Sequence, residues 1–251
     1  MDARPSAMAL VRTIISTLRR FLVPWRETPR AVILTYHSVS PERRSYTISP
    51  ETFEWQLKQI MLQGCRVVSL RTLEEMLDRG RVEPRSVVIT LDDGRRDNYE
   101  HAFPLLKKYS LPATVFVVSG HIGKSGGLQM LTKEQLREMH ASGLVDFEPH
   151  SVHHPKLTQV SPEEAYREIA GSKRMLEELL GKECPHFAYP YGRHNAAVEA
   201  AAERAGIRLA FATRPGAVTP ENARLALPRN AVESDTGRLE FRGILAHGSL
   251  R

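Results

Sequence analysis

Two adjacent carboxylates and a knot of three histidines are the side chains in this sequence best suited to chemistry. Thr90-Leu91-Asp92-Asp93-Gly94 closes the apolar run Ser86–Leu91. Carboxylates at a buried strand end are costly unless something cationic neutralises them. Neighbours on a strand point opposite ways, so Asp92 and Asp93 reach one site only if the chain turns at Gly94. A plain solvated turn is the alternative, because Asp-Gly is a common turn pair. His150-Ser151-Val152-His153-His154-Pro155 follows the run Leu144–Phe147. A separation of four would put His150 and His154 on one helical face, as in helical zinc motifs. No Glu follows His150, however, and Pro155 disfavours helix at His154. A tight loop aiming both rings at one ion fits better. Isolated histidines usually belong to core or surface, but three within five residues at an expected strand end shift the reading toward metal. A third cluster, Phe187-Ala188-Tyr189-Pro190-Tyr191-Gly192, suits the wall of a pocket, or equally a strand that ends in a turn.

Elements that could position these clusters alternate along the chain. Five further apolar runs, besides those at 86–91 and 144–147, cover Ala31–Tyr36, Ala113–Val118, Phe187–Tyr189, Leu209–Thr213 and Arg224–Leu227. Several are continuous, as expected for strands buried on both faces. Helical stretches lie between them. Ser49-Pro50 pairs an N-cap with a proline at the first helical position, and a stripe of Phe53, Leu57, Ile60 and Met61 leads to a stop at Gly64. Thr132-x-x-Gln135 and Ser161-x-x-Glu164 are capping-box patterns, and Gly143, Gly181 and Gly206 stand where C-terminal caps belong. The expected fold is α/β, a distorted barrel of about seven strand–helix units with parallel strands. Catalytic groups of such folds collect at the C-terminal strand ends, where all three clusters fall.

The chain of 251 residues fits one large α/β domain, with 41% hydrophobic and 25% charged residues, so disorder is a poor description. The net charge of +6 is concentrated at the start, where six arginines among residues 1–30 face only Asp2 and Glu27. A basic nucleic-acid-binding face is therefore not indicated for the body. Cys65 and Cys184 imply no disulfide framework and read as reduced, packed thiols. Residues 1–28 read as a basic amphipathic segment and linker, and 29–251 as the catalytic domain. Met8, Val11, Ile15, Leu18, Leu22 and Trp25 recur at helical spacing, but arginines interrupt every apolar run. That excludes a transmembrane helix and a signal peptide. It predicts an N-terminal amphipathic helix over residues 8–25, which either lies on a membrane surface or packs on the domain. The expected location is cytoplasmic, with peripheral contact at the inner membrane as an option.

In order and spacing the clusters resemble the motifs of the polysaccharide deacetylases, carbohydrate esterase family four with its NodB homology domain. Thr90–Gly94 resembles that family's Thr-Phe-Asp-Asp-Gly, with Leu91 in place of Phe. His150-Ser151-x-x-His154 matches its His-Ser/Thr-x-x-His, and Pro190-Tyr191-Gly192 the core of its third motif. Thr35-Tyr36-His37-Ser38-Val39 resembles the opening strand of the exopolysaccharide poly-N-acetylglucosamine deacetylases. The resemblance implies a TIM-like barrel and a hydrolase acting on the linear amide C–N bonds of N-acetylated polysaccharide or lipid-linked sugar. It implies that Asp93, His150 and His154 hold one divalent metal: zinc first, with cobalt, nickel and manganese as alternatives. Three protein ligands suit a catalytic zinc. Asp92 is then the general base, and Pro190, Tyr191 and Gly192 contact substrate or oxyanion.

Two departures from the family pattern stand out. The third motif often carries an Arg that orients the base, and Ala188 occupies that position here. Arg229, in Leu227-Pro228-Arg229, is the candidate replacement. The late Leu-x-x-His motif that supplies a general acid has no clear copy. His37, at the end of the first strand, stands slightly ahead of His247 for that role. Two other readings compete. Two His and one carboxylate also describe non-haem iron oxygenases, but their His-x-Asp pair is missing. A catalytically weak carbohydrate-binding relative would fit the two departures, though it would have no need of Asp92.

Overall fold

The computed structural model describes residues 29–42 and 46–249. The segment 1–28, with the helix expected over residues 8–25, lies outside them. The strands are β1 (Ala31–Tyr36), β2 (Ser38–Val39), β3 (Thr47–Ile48), β4 (Arg66–Val67), β5 (Ser86–Leu91), β6 (Ala113–Val117), β7 (Val145–Pro149), β8 (His186–Ala188), β9 (Leu209–Phe211), β10 (Ala217–Val218) and β11 (Asn230–Ala231). The α-helices are α1 (Pro50–Leu62), α2 (Leu70–Asp78), α3 (Phe103–Tyr109), α4 (Lys133–Ala141), α5 (Pro162–Leu180), α6 (Ala196–Arg204) and α7 (Arg238–His247).

The architecture is α/β and barrel-like. β1 and β5 run parallel in register, and every residue of both is buried. Their unbroken Val/Ile/Leu-rich sequences follow from that two-sided burial. β6 pairs with the end of β5, and β7 with β6, again in parallel. β8 and β9 form their own parallel pair. A bridge from Phe211 to Leu227, followed by the pairing of β11 with Leu34 and Thr35 of β1, returns the chain to the first strand.

Three details correct the parallel barrel expected above. β10 runs antiparallel to the start of β1, so the sheet is mixed. Residues 224–226 form a turn rather than a strand, and only Leu227 bridges. No backbone ladder joins β7 to β8 among the described residues, so the barrel has a seam. The helix signals act as their chemistry requires. Ser49, Thr132 and Ser161 cap α1, α4 and α5 through side-chain oxygens, with the reciprocal Gln135 bond completing the box at Thr132. Met61 differs from its expected place in the core stripe: it is exposed, while Phe53, Leu57 and Ile60 are buried. Cys65 and Cys184 are free thiols. Among the described residues, no helix is long and apolar enough to cross a membrane.

Side chains hold the β7–β8 seam where a ladder is missing. Glu148 of β7 is buried; its Oε2 accepts the His186 N–H of β8 at 3.0 Å, and its Oε1 meets Lys182 Nζ at 2.9 Å. On the other side of the ring, His186 Nε2 lies 3.0 Å from Glu74 Oε2 of α2. Burial opposes a charge on this imidazole, but Glu148 and Glu74 outweigh burial and hold its pKa above the ordinary histidine value. A raised folded pKa adds stability that is fully present below about pH 6.5, the unfolded value, and is lost as pH rises through the folded one. The melting temperature should therefore fall as pH rises from about 6 to 9, and His186→Gln should flatten that slope. Identical slopes in the two proteins would show that another group is responsible.

Candidate active site

The carboxyl ends of β1, β5 and β7 open into a cavity of about 490 Å³ lined by His37, Asp92, Asp93, His150 and His154, with Tyr46 and Tyr191 at its edge. Asp92 extends the β5 ladder by one bond, its N–H donating to the Tyr36 carbonyl at 2.8 Å. Asp93 and Gly94 then both turn left-handed, with φ of +74° and +75°. That turn lets two consecutive carboxylates face one cavity, which an extended strand forbids.

The two acids have different partners. Asp92 is 2% exposed and forms a two-pronged ion pair with Arg229, whose NH1 donates to Oδ1 at 2.8 Å and NH2 to Oδ2 at 2.7 Å. Arg229 is fully buried beside β11, its Nε donating to the Ala212 carbonyl at 3.0 Å and its guanidinium lying 5.2 Å from the Phe116 ring centre. Burial alone would raise the Asp92 pKa; Arg229 first, then His150 and His37, overcome it and bring the group down to about 2. Asp93 gives Oδ2 to Arg95, at 3.1 Å from Nε and 2.9 Å from NH2. Its Oδ1 faces His150 Nε2 at 3.9 Å and His154 Nε2 at 3.7 Å. Burial raises its pKa too, but His150, His37 and Arg95 leave it lowered overall.

The two imidazoles come from a tight loop after β7. Their Nε2 atoms are 3.2 Å apart, and Ser151 and His154 adopt φ of +67° and +61°. His150 Nδ1 lies 2.7 Å from the Ala188 carbonyl, an acceptor, so Nδ1 carries the hydrogen and the Nε2 lone pair points at Asp93. Burial, ahead of other causes, depresses the His150 pKa to about 4 and lowers that of His154. Both rings are thus neutral near pH 7, the form that binds metal. Ligands about 2.0–2.2 Å from a tetrahedral zinc stand roughly 3.3–3.6 Å apart. The observed spacings of 3.2, 3.7 and 3.9 Å lie within a few tenths of an ångström of that range, so the three groups could hold a metal ion after small side-chain shifts. Among the described residues, Asp93, His150 and His154 form the one group of three with metal-ligand spacing.

The remaining candidates divide. His37 lines the cavity; its carbonyl accepts from Asn98 Nδ2 at 2.9 Å, and its ring packs 5.3 Å from Tyr46. His247 is exposed at the end of α7, next to Gly248, which abuts Ala217 beside the start of β1. That is the opposite end of the barrel from the cavity. Tyr191 and Gly192 line the cavity, whereas Pro190 is buried outside it. The aromatic wall expected from the third cluster reduces to Tyr191, because Phe187 and Tyr189 pack in the core. Tyr191 takes φ +59° and sets its ring 4.7 Å from His154. Gly192, at φ +64°, sits against Thr213, and any Cβ there would collide with it. Arg95 was not singled out from sequence. Its only visible signal is its place directly after an Asp-Asp-Gly turn.

Comparison with known proteins places these features. Residues 79–210 match the polysaccharide deacetylase family. The poly-β-1,6-N-acetyl-D-glucosamine N-deacetylase of Staphylococcus aureus is 31% identical over 210 residues, covering 80% of this chain and 72% of that protein. The structure of IcaB from Ammonifex degensii superposes with a TM-score of 0.80 at 30% identity, covering 89% of this chain and 99% of that one. A Streptococcus pyogenes deacetylase, PplD, solved in complex with acetate, gives 0.78 at 28% identity, covering 87% and 99%.

Removing one half of a buried ion pair strands the other charge and costs about 3–5 kcal/mol. Arg229→Met should lose stability on that scale in urea denaturation, and adding Asp92→Asn should recover part of the loss. A cost for Arg229→Met below about 1 kcal/mol, the range of an exposed pair, would contradict the buried pairing.

Proposed function

The chain belongs to the polysaccharide deacetylase family, and on that premise we propose that it hydrolyses the acetamide groups of an N-acetylated polysaccharide with the help of one divalent metal ion. A β-1,6-linked N-acetylglucosamine polymer is the first substrate to consider, because the S. aureus relative is named for it. One observation carries the reading: Asp93, His150 and His154 converge beside a second carboxylate whose counter-ion is already built in. Two neutral imidazoles and a carboxylate are a zinc-type donor set, which cobalt, nickel or manganese could also occupy. A bound ion there supplies Lewis acidity to the attacking water and the acetamide carbonyl.

The protein's own groups divide the proton traffic. Asp92, held ionised by Arg229, accepts the proton of the attacking water. Donation to the leaving nitrogen is assigned to a different group, and His37, which follows β1 beside Asp92 and lines the same cavity, is the histidine available for it. The C–N bond breaks, the sugar leaves as an amine and the acyl fragment as acetate, the molecule bound in the S. pyogenes relative. The backbone N–H of Tyr191, a residue that lines the cavity, is assigned as the donor to the oxygen on which negative charge develops. A non-hydrolytic sugar binder would have no use for Asp92 and its buried arginine.

Acetate release from β-1,6-linked N-acetylglucosamine oligomers should be lost on chelation and restored by zinc. Asp92→Asn should lower kcat by about 10²–10⁴ while zinc still binds; a variant that keeps its rate would remove Asp92 from the chemistry. The alkaline limb of a pH–rate profile reports the general acid. It should disappear in His37→Ala and persist in His247→Ala. If the limb survives in His37→Ala, the proton comes from elsewhere.

A further inference from the structure

Both imidazoles ride on a loop that is gripped by a residue outside the cavity. Glu168 lies on the buried face of α5 and is 4% exposed. Its Oε2 accepts the N–H groups of Val152 at 2.9 Å and His153 at 2.8 Å, and its Oε1 lies 2.6 Å from His153 Nδ1. Two successive N–H groups converging on one anionic oxygen form a nest, a charge-assisted arrangement stronger than neutral hydrogen bonds. The opposite side of the loop is also fixed: Gly120 N–H donates to the Val152 carbonyl at 3.0 Å, and a Cβ at Gly120 would stand 2.6 Å from that oxygen. His154 N–H is tied to Ser151 Oγ at 2.8 Å.

This grip matters because the loop does not favour its own shape. Ser151 and His154 are both left-handed, a conformation that residues with a Cβ adopt only when their surroundings impose it. Neither Val152 nor His153 offers the cavity a ligand, yet their amides set the path of the chain between the two residues that do.

We propose that Glu168 is a positioning residue for the metal site, its carboxylate holding the 150–154 loop in the shape that brings the Nε2 atoms of His150 and His154 together. The proposal rests on the reading of Asp93, His150 and His154 as metal ligands. Groups that orient metal ligands from behind typically change affinity by about 10–100-fold when removed. Glu168→Gln keeps a carbonyl oxygen that can accept from both amides; Glu168→Ala keeps nothing.

The test is a zinc titration of the full chain in competition with a chromophoric chelator, with amide hydrogen exchange at Val152 and His153 followed in parallel. Glu168→Ala should bind zinc at least about tenfold more weakly, and Glu168→Gln within about threefold of the parent. Both amides should exchange at least about tenfold faster in Glu168→Ala. If Glu168→Ala does not fold, Glu168→Asp, whose carboxylate falls one methylene short, should show the same losses. A folded variant without the carboxylate that binds zinc as tightly as the parent overturns the proposal. Should the parent itself bind no zinc, the metal reading falls and the grip is judged by exchange alone. Amides equally protected in parent and Glu168→Ala would then overturn it.

Discussion

The constraint on which this structure depends is the desolvation of two carboxylates on consecutive residues. Asp92 and Asp93 sit at the floor of one cavity, where an uncompensated charge costs several kcal/mol. The fold answers them separately. Arg229 comes from a segment 137 residues away and takes both oxygens of Asp92. Arg95, two residues along, takes only one oxygen of Asp93 and leaves the other toward two histidine nitrogens. One acid is therefore satisfied by the protein, and the other is left half-satisfied in a way that suits a cation.

That division ties the barrel's closure to its chemistry. The residues from Leu227 to Ala231 bridge β9 to β1, and the same stretch carries Arg229. The β7–β8 seam works similarly. No ladder crosses it among the described residues, but the Ala188 carbonyl reaches across to fix the His150 ring, while Glu148 and His186 hold the strands nearer their origins. Displacing either strand would reorient the His150 ring, so contacts that look architectural also set the tautomer and aim of that imidazole.

Sequence alone carried the site further than the barrel. The Asp92–Asp93 pair and the His150–His154 loop are legible because each is local: carboxylates against a buried run, and a proline that forbids helix. Arg229 could be nominated because Ala188 left a role vacant. Glu168 left a fainter trace. It shares the buried stripe of Ala165, Ile169 and Ser172 on α5, and a charge on an apolar face requires a partner, but nothing in the sequence says that the partner is the loop at 150–154. Residues 224–226 look like a strand in sequence because Leu225 packs on the core and the Arg224 carbonyl accepts from Ala210 of β9, but the chain turns there and the bridge is confined to Leu227. The two-residue strands β2, β3, β4, β10 and β11 are too short to show any period, so the mixed sheet and the open seam were invisible.

On the proposed reading, Asp93, His150 and His154 share one ion. Anomalous diffraction at the zinc edge, from crystals of the full chain grown with zinc, tests it most directly. One strong peak is expected about 2.0–2.2 Å from an oxygen of Asp93 and from the Nε2 atoms of both histidines, the distances zinc makes with such ligands. A fully zinc-loaded crystal with no peak among these three side chains, or with its peak at other residues, would contradict it.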